Sequence, residues 1–421
     1  MKAQLNNLAF WLGAVLVVVL ATWFYQPSAA KTGSLLVWLD GDLYLQDIDT
    51  QALTPVGPAK TAQTALPSPG CLGQLLAPCW IAVGQTIYRL HPDGTTTQST
   101  IPLDSQVKWN DSVMSWSPDG VHLAYNVILK LNRLTELRVY NLVTGETKVI
   151  AAVVDPTLPV AWSAGCAQGL LAAGCQLGFK LIVPKFVTLV TTRSPDQSNW
   201  LIGFNPLTGK QQIWFVAGAP IKRLRWAYDN TLLYSQLANY FYRTVNNRPA
   251  YHISPGSQPA AMSADGRYTV YYESFTLKEC QAERPTGGCW YLGVWVVDDN
   301  LIDRRFIYSA DLAQAKADQL NLDPQWSPRG EAFVFIQAGQ LLYYNFTQNR
   351  ADVWYSGLQA QLVSGPVYSA NGAGVALVDK GKGDSPAYRL LVIDPQLKPV
   401  EHEIKAQQGF QVLVWLPNKL N

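Results

Sequence analysis

The fold is decided by one stretch: Val113-Met-Ser-Trp116-Ser117-Pro118-Asp119-Gly120, then His122-Leu-Ala-Tyr-Asn126, Glu136-Leu-Arg-Val-Tyr-Asn141, Thr144-Gly145-Glu146-Thr147 and Lys148-Val-Ile150. It reads as four short strands joined by turns. Ser-Pro-Asp-Gly has the chemistry of a type I turn, because Pro118 presets φ at the second position and Gly120 suits the fourth. The preceding Trp116 is large enough to pack between neighbouring sheets. In Leu137-Arg-Val139-Tyr the apolar and polar residues alternate, as on a half-buried strand.

The unit recurs along the chain. Trp162-Ser163-Ala-Gly165 and Trp226-Ala-Tyr-Asp229-Asn230 open two further copies. Met262-Ser263-Ala-Asp265-Gly266, Trp326-Ser327-Pro-Arg-Gly330 and Tyr368-Ser369-Ala-Asn371-Gly372 open three more. The anchors at 116, 162, 226, 262, 326 and 368 lie 46, 64, 36, 64 and 42 residues apart. The short spacings match a four-stranded blade and the long ones a blade with an insertion. At the C-terminus Val412-Leu-Val-Trp415-Leu416 reads as one more first strand. At the other end, Ser34-Leu-Leu-Val-Trp38, Gly41 to Asp49 and Ala52 to Val56 read as the rest of that same unit. The expectation is therefore an all-β chain, a β-propeller over residues 31–421 closed by pairing of its terminal strands. Blades fall at 72–101, 109–151, 158–216, 221–253, 258–309, 322–356 and 362–404, with one shared blade. That makes eight, or seven if 72–101, which lacks a Trp anchor, is not one.

At Trp116–Gly120 and Trp326–Gly330 the chain resembles the WD40-like repeats of TolB-type propellers, which join Trp-Ser-Pro-Asp-Gly to an apolar strand. The resemblance covers nearly all of the expected propeller as repeat architecture, and it implies no partner. TolB-type proteins also carry an α/β domain before the propeller, and this chain has no stretch long enough for one.

Composition agrees with strands. Of 421 residues, 48% are hydrophobic and 15% charged, with 15 Trp and 20 Tyr, and aromatic rings suit pleated, half-buried surfaces. The formal net charge is +2. The densest basic stretch, Lys222-Arg223-Leu-Arg225, reads as a solvated strand edge, and no nucleic-acid partner is expected.

Leu8 to Tyr25 contains no charge and no proline. At about 1.5 Å per residue this reaches roughly 27 Å, close to a bilayer core. Trp11 stands near one end and Trp23, Phe24 and Tyr25 at the other, as interfacial aromatics do. Lys2 favours a cytoplasmic start. Residues 1–30 are thus expected to be a transmembrane signal anchor, with cleavage after Ala30 in Ser28-Ala-Ala30 as the alternative. The expected location is the cell membrane, crossed once, with the propeller in the periplasm or another extracytoplasmic space.

The six cysteines fall into three local pairs, Cys71 and Cys79, Cys166 and Cys175, Cys280 and Cys289. This clustering predicts three short-loop disulfides in an oxidising compartment. No Cys-x-x-Cys occurs and His91, His122, His252 and His402 are scattered, so no metal site is expected.

The sequence contains neither Gly-x-Ser-x-Gly, nor His-Glu-x-x-His, nor a phosphate-binding loop. Asp40, Asp42, Asp47 and Asp49 superficially follow a calcium loop, but the interleaved Leu43, Tyr44, Leu45 and Ile48 fit a strand. Phe204-Asn-Pro-Leu-Thr-Gly209 to Trp214 echoes a quinoprotein docking repeat once, and Thr-Gly at a hairpin explains it. Insertions at 178–200, 275–290 and 310–321, the last read as a short helix, are candidate recognition loops. No catalytic residue and no cofactor are expected. The functional expectation is a membrane-tethered scaffold or assembly subunit whose partners are other envelope or membrane proteins. The alternative is a small-molecule or glycan-processing enzyme with its site in the funnel.

Overall fold

The computed structural model describes residues 33–417, apart from 61–64, 73–77, 173–174, 183–198, 218–222, 227–231, 236–240, 246–247, 253–260, 264–266, 277–289, 299–303, 312–323, 329, 338, 359–360, 381–386 and 395–398. Among the described residues it holds eight four-stranded antiparallel sheets. The architecture is that of β-propeller repeats, and the sheets are numbered here as blades in chain order. Blade 1 pairs Ser34–Leu39, Asp42–Asp47 and Leu53–Pro58 with the last strand, Phe410–Leu416. Blade 2 comprises Ala65–Pro67, Cys79–Val83, Thr86–Leu90 and Thr96–Thr100. Blade 3 comprises Val107–Trp116, His122–Leu129, Thr135–Asn141 and Thr147–Ala152. Blade 4 comprises Ala161–Trp162, Leu177–Ile182, Asn199–Phe204 and Gln211–Ala217. Blades 5 to 8 open on Arg223–Trp226, Ala261–Met262, Gln325–Trp326 and Gln361–Tyr368.

Blade 2 begins earlier than its sequence suggests. Its first strand, Ala65–Pro67, carries no Trp, and the usual tight turn is replaced by a longer loop that includes a short 3-10 helix, Pro69–Leu72.

The blades pack because their second strands are apolar on both faces. In Ala332–Gln337 every residue is buried. Phe333 and Phe335 pack toward blade 6, while Val334 and Ile336 pack toward blade 8. Val375 and Leu377 face blade 7, and Ala376 and Val378 face blade 1. Leu35 and Val37 face blade 8, whereas Leu36 and Trp38 face blade 2. Successive strand side chains point to opposite faces, so a strand between two sheets buries both of them and is mostly apolar.

Tryptophans add directed bonds across these junctions. Trp116 Nε1 donates to the Leu66 carbonyl of blade 2 at 2.8 Å, and Trp326 Nε1 to the Ala261 carbonyl of blade 6 at 3.1 Å. First strands of successive blades approach one another, as at blades 6 and 7, 7 and 8, 8 and 1, and 1 and 2.

Among the described residues no helix is long and apolar enough to cross a membrane. Leu8 to Tyr25, Cys280 and Cys289, the core of the 178–200 insertion and nearly all of 310–321 lie outside the described residues.

Candidate functional site

Within a blade, the turn between strands 1 and 2 and the turn between strands 3 and 4 lie at the same end. Contacts between blades show that four of these ends share one face. Ser34 pairs with Leu416 at that end of blade 1. The 3-10 turn after Ser68 packs on the last strand of blade 1. Trp116, at the same end of blade 3, reaches Leu66 of blade 2. Lys148 Nζ of blade 3 donates to the Pro206 carbonyl, in the turn between strands 3 and 4 of blade 4, at 3.2 Å. This face therefore carries the entry of the chain at Ser34 and two covalently clamped loops.

Those clamps are the disulfides Cys71–Cys79 and Cys166–Cys175. Each closes the loop between strands 1 and 2 of its blade by the same local device. Ser68 Oγ accepts from Trp80 N–H at 3.0 Å, and Ser163 Oγ accepts from Gln176 N–H at 2.8 Å. In both loops the first cysteine stands three residues after that serine, and the second stands one residue before the donor. The third expected pair, Cys280 and Cys289, lies outside the described residues.

Two concavities open on the clamped face. One, of about 510 Å³, is lined by Leu66, Pro69, Met114, Trp116, Val160 and Leu413 among others. Its lining comes from the first strands of blades 1, 2 and 3 and from Pro159 and Val160 before blade 4, and is almost wholly apolar. The other, of about 910 Å³, is a groove between blades 3 and 4. His122, Asn141, Glu146 and Lys148 form one wall, and Leu170 and Leu171 of the clamped loop form the other.

His122 is the one imidazole in that groove, and its geometry is structural. Asn141 Nδ2 donates to Nε2 at 3.2 Å, which places the ring proton on Nδ1, 2.8 Å from Asp119 Oδ2. Both ring nitrogens are thus engaged. Burial raises the Asp119 carboxyl, but His122, the Ser117 hydroxyl and the Val121 N–H outweigh it and hold it below the ordinary range.

Other titratable clusters are equally closed. Lys180 Nζ lies 2.5 Å from Asp155 Oδ2, and both side chains are buried. Arg389 holds Asp379 with two parallel bonds and also reaches Glu401. Glu401 accepts from the Tyr355 hydroxyl at 2.7 Å. Burial, then that bond, push the Tyr355 hydroxyl up to about 12. Asp40, Asp42, Asp47 and Asp49 do not converge: Asp47 accepts from Asp49 and Thr50, whereas Asp40 accepts from the N–H groups of Gln407, Gln408 and Gly409. Among the described residues no three His, Cys, Asp or Glu side chains group as metal ligands would. Arg223 and Arg225 lie on a first strand. Asn205 to Lys210 forms a hairpin turn with Gly209 at φ 68°, which accounts for the Thr-Gly pair before Trp214.

Sequence reasoning found the two cysteine pairs joined here, Cys71 with Cys79 and Cys166 with Cys175, but not the groove or the Asp40 clamp. The groove joins residues of two blades, and the clamp joins residues more than 360 positions apart, so neither leaves a local signature. The serines were visible in the repeated Trp-Ser phrase, but their hydrogen bonds were not.

No family model matches the chain, and no curated protein matches it. Among solved structures, a eukaryotic initiation factor is similar with a TM-score of 0.52 at 11% identity, over 93% of this chain and 100% of that one. The Dos1 propeller gives a TM-score of 0.47 at 13% identity, over 87% and 94% of the two chains. TolB from Acinetobacter baumannii gives 0.36 at 12% identity, over 92% and 82%. At such identity the first likeness concerns the fold alone.

Proposed function

We propose that the chain is a membrane-tethered, extracytoplasmic propeller, closed as a ring of eight blades, that acts as an interaction scaffold or assembly subunit of a cell-envelope complex. The observation that carries this reading is the clamped face. Two disulfides hold the loops of blades 2 and 4 rigid at one end of the molecule, beside the entry of the chain. Rigid loops on a rigid scaffold lower the ordering cost of binding a partner. Disulfides form and persist outside the reducing cytoplasm, which supports the compartment. The apolar charge-free segment Leu8 to Tyr25 supports the tether. Pairing of Ser34–Leu39 with Phe410–Leu416 supports closure, since the last strand covers an edge that Ser34–Leu39 would otherwise leave open.

The test is the mass of the full chain solubilised from its native membranes in mild detergent and measured by light scattering. The expected result is a discrete assembly larger than the detergent-bound monomer, containing a reproducible second polypeptide. A monodisperse monomer after both gentle solubilisation and prior cross-linking would overturn the scaffold reading.

A further inference from the structure

Aliphatic side chains at loop tips are expensive to leave in water, and their distribution here is uneven. Val143, Leu171 and Leu207 are 72%, 61% and 51% exposed, and all three belong to the clamped face of blades 3 and 4. Val143 tips the turn between strands 3 and 4 of blade 3, and Leu207 occupies the same place in blade 4. Leu171 sits in the Cys166–Cys175 loop. Among the described residues one further exposed aliphatic tip, Leu131, lies between strands 2 and 3 of blade 3 and so faces the other way. The remaining large exposed apolar residues, such as Val149, Phe306 and Val353, are spread along outer strands.

The three tips form one neighbourhood. Leu171 lines the groove with Glu146 and Lys148. Lys148 in turn bonds the Pro206 carbonyl, one residue before Leu207. Glu146 follows directly on the turn that Val143 tips.

Several backbone donors in and beside these turns are already bonded. Asn141 Oδ1 accepts from the N–H groups of Val143 and Thr144, and Gly145 N–H donates to the Asn141 carbonyl. In the matching turn Asn205 Oδ1 accepts from Thr208 N–H, and Gly209 N–H donates to the Asn205 carbonyl. In the clamped loop Ala172 N–H donates to the Gly169 carbonyl. A tip built this way can leave water without stranding these backbone donors, whose loss would otherwise oppose entry into a low-dielectric layer.

The tether selects the occupant. Nine residue steps separate Tyr25 from Ser34, and a fully extended chain of that length spans at most about 30 Å. If Leu8 to Tyr25 crosses the bilayer, the face on which Ser34 opens is held within that distance of the lipid. We infer that Val143, Leu171 and Leu207 insert into the lipid interface, so that the clamped face lies against the membrane and the tether and the tips together fix the tilt of the propeller. Lys148 and Lys210 stand behind the tips, where lysines suit the head-group layer. The inference rests on the tether reading of the proposed function.

Photo-crosslinking tests it on the full chain. Residues 143, 171, 207 and 131 are replaced singly by p-benzoylphenylalanine, and each variant is reconstituted in vesicles of phosphatidylcholine and phosphatidylglycerol and also irradiated in native membranes. Mass spectrometry then counts lipid-adducted chain, with far-UV circular dichroism verifying that each variant is folded. Adducts at 143, 171 and 207 should exceed those at 131 by about tenfold, the ratio that some 1.4 kcal/mol of preferential burial confers. Equal labelling at all four positions would overturn the inference. Cross-links to a polypeptide at the three tips, with lipid adducts no higher than at 131, would overturn it in favour of a protein partner. Alkaline carbonate extraction separates the two readings. A chain that resists extraction but shows no lipid preference at its tips keeps its tether and loses this inference. A chain that is extracted has lost the tether, and the inference with it.

Discussion

Six buried serines hold the same post in different blades. Ser68, Ser117, Ser163, Ser263, Ser327 and Ser369 each stand just after a first strand, and each hydroxyl accepts the N–H of a residue within one position of the start of the second. The same serine N–H donates to that residue's carbonyl, so one residue closes the strand 1–2 turn with both its backbone and its side chain. An alanine there leaves a buried donor without its acceptor. Ser117→Ala is therefore expected to cost about 1–3 kcal/mol in chemical denaturation, and a loss below half of that would show that the hydroxyl is dispensable. Acid acts on the neighbouring carboxylates. Burial raises the Asp155 carboxyl, but Lys180 and Thr157 outweigh it and the group is held low. A carboxyl depressed in the folded state contributes its full stability above the ordinary value of about 3.9, and loses it as pH falls through the folded value. Lys180→Met would strand the Asp155 carboxylate in a buried place and is expected to cost about 3–5 kcal/mol at pH 7. The deficit should shrink as pH falls, first above about 4, where the stranded carboxyl of the variant, raised by burial, takes up its proton, and then below it, where the native pair is lost. A deficit independent of pH between 3 and 7, measured by denaturant unfolding, would refute the ion-pair account.

At the scale of the element, the clamped loops replace a tight turn by covalent closure. Ser-Pro-Asp-Gly closes blade 3 through Gly120 N–H donating to the Ser117 carbonyl, with Gly120 at φ 72°. In blades 2 and 4 the matching bonds form too, from Cys71 N–H to the Ser68 carbonyl and from Cys166 N–H to the Ser163 carbonyl, but the connections run on for longer before the second strand and the disulfides close that remainder. Cys166→Ser with Cys175→Ser is expected to destabilise by about 2–3 kcal/mol, the loop-closure term for a separation near ten residues. It should also loosen the groove wall that carries Leu170 and Leu171. Hydrogen exchange checks the location of the effect: protection should fall in blade 4 and persist in blade 7, and a uniform loss would mean that the disulfide stabilises the whole molecule instead. This contrast explains what the sequence made legible. Turn chemistry is local, so Trp116–Gly120 and Trp326–Gly330 announce their blades directly. Blade 2 announces itself poorly because Pro67-Ser68 lacks the indole and its turn is stretched. The groove beside His122 was not legible at all, since its second wall comes from residues about fifty positions further along and is placed by packing between blades.

For the whole molecule, the question is how its two ends are joined. Val412 to Leu416 reads as a first strand without a blade, and Ser34 to Val56 as a blade without a first strand, because strand periodicity and turn residues are written locally while their pairing is not. The pairing depends on contacts of the longest range in the chain. Leu35, Val37, Phe410, Val412 and Trp415 are buried together with Ala376, Val378, Leu390 and Val392 of blade 8. Ser364 Oγ donates to the Val412 carbonyl at 2.8 Å. Asp40, in the turn after Ser34–Leu39, accepts from Gln407, Gln408 and Gly409 N–H groups and adds a second tie. Removing residues 410–421 would strip one strand from blade 1, uncover the apolar face of blade 8 and leave Ser34–Leu39 as an open edge. Such an edge templates further pairing, so the truncated chain is expected to self-associate and to melt at lower temperature. A synthetic peptide spanning 408–421 should restore the monomeric state by adding its strand in trans, as β-strand addition does elsewhere. Size-exclusion chromatography of the detergent-solubilised chain, with and without the peptide, decides the matter. Should the truncated chain elute and melt like the intact one, the terminal strand is an ornament and the ring is not closed by it. Should the peptide rescue it, while a variant peptide carrying Val412→Asp and Val414→Asp does not, closure depends on side-chain burial at both neighbouring blades as well as on backbone pairing.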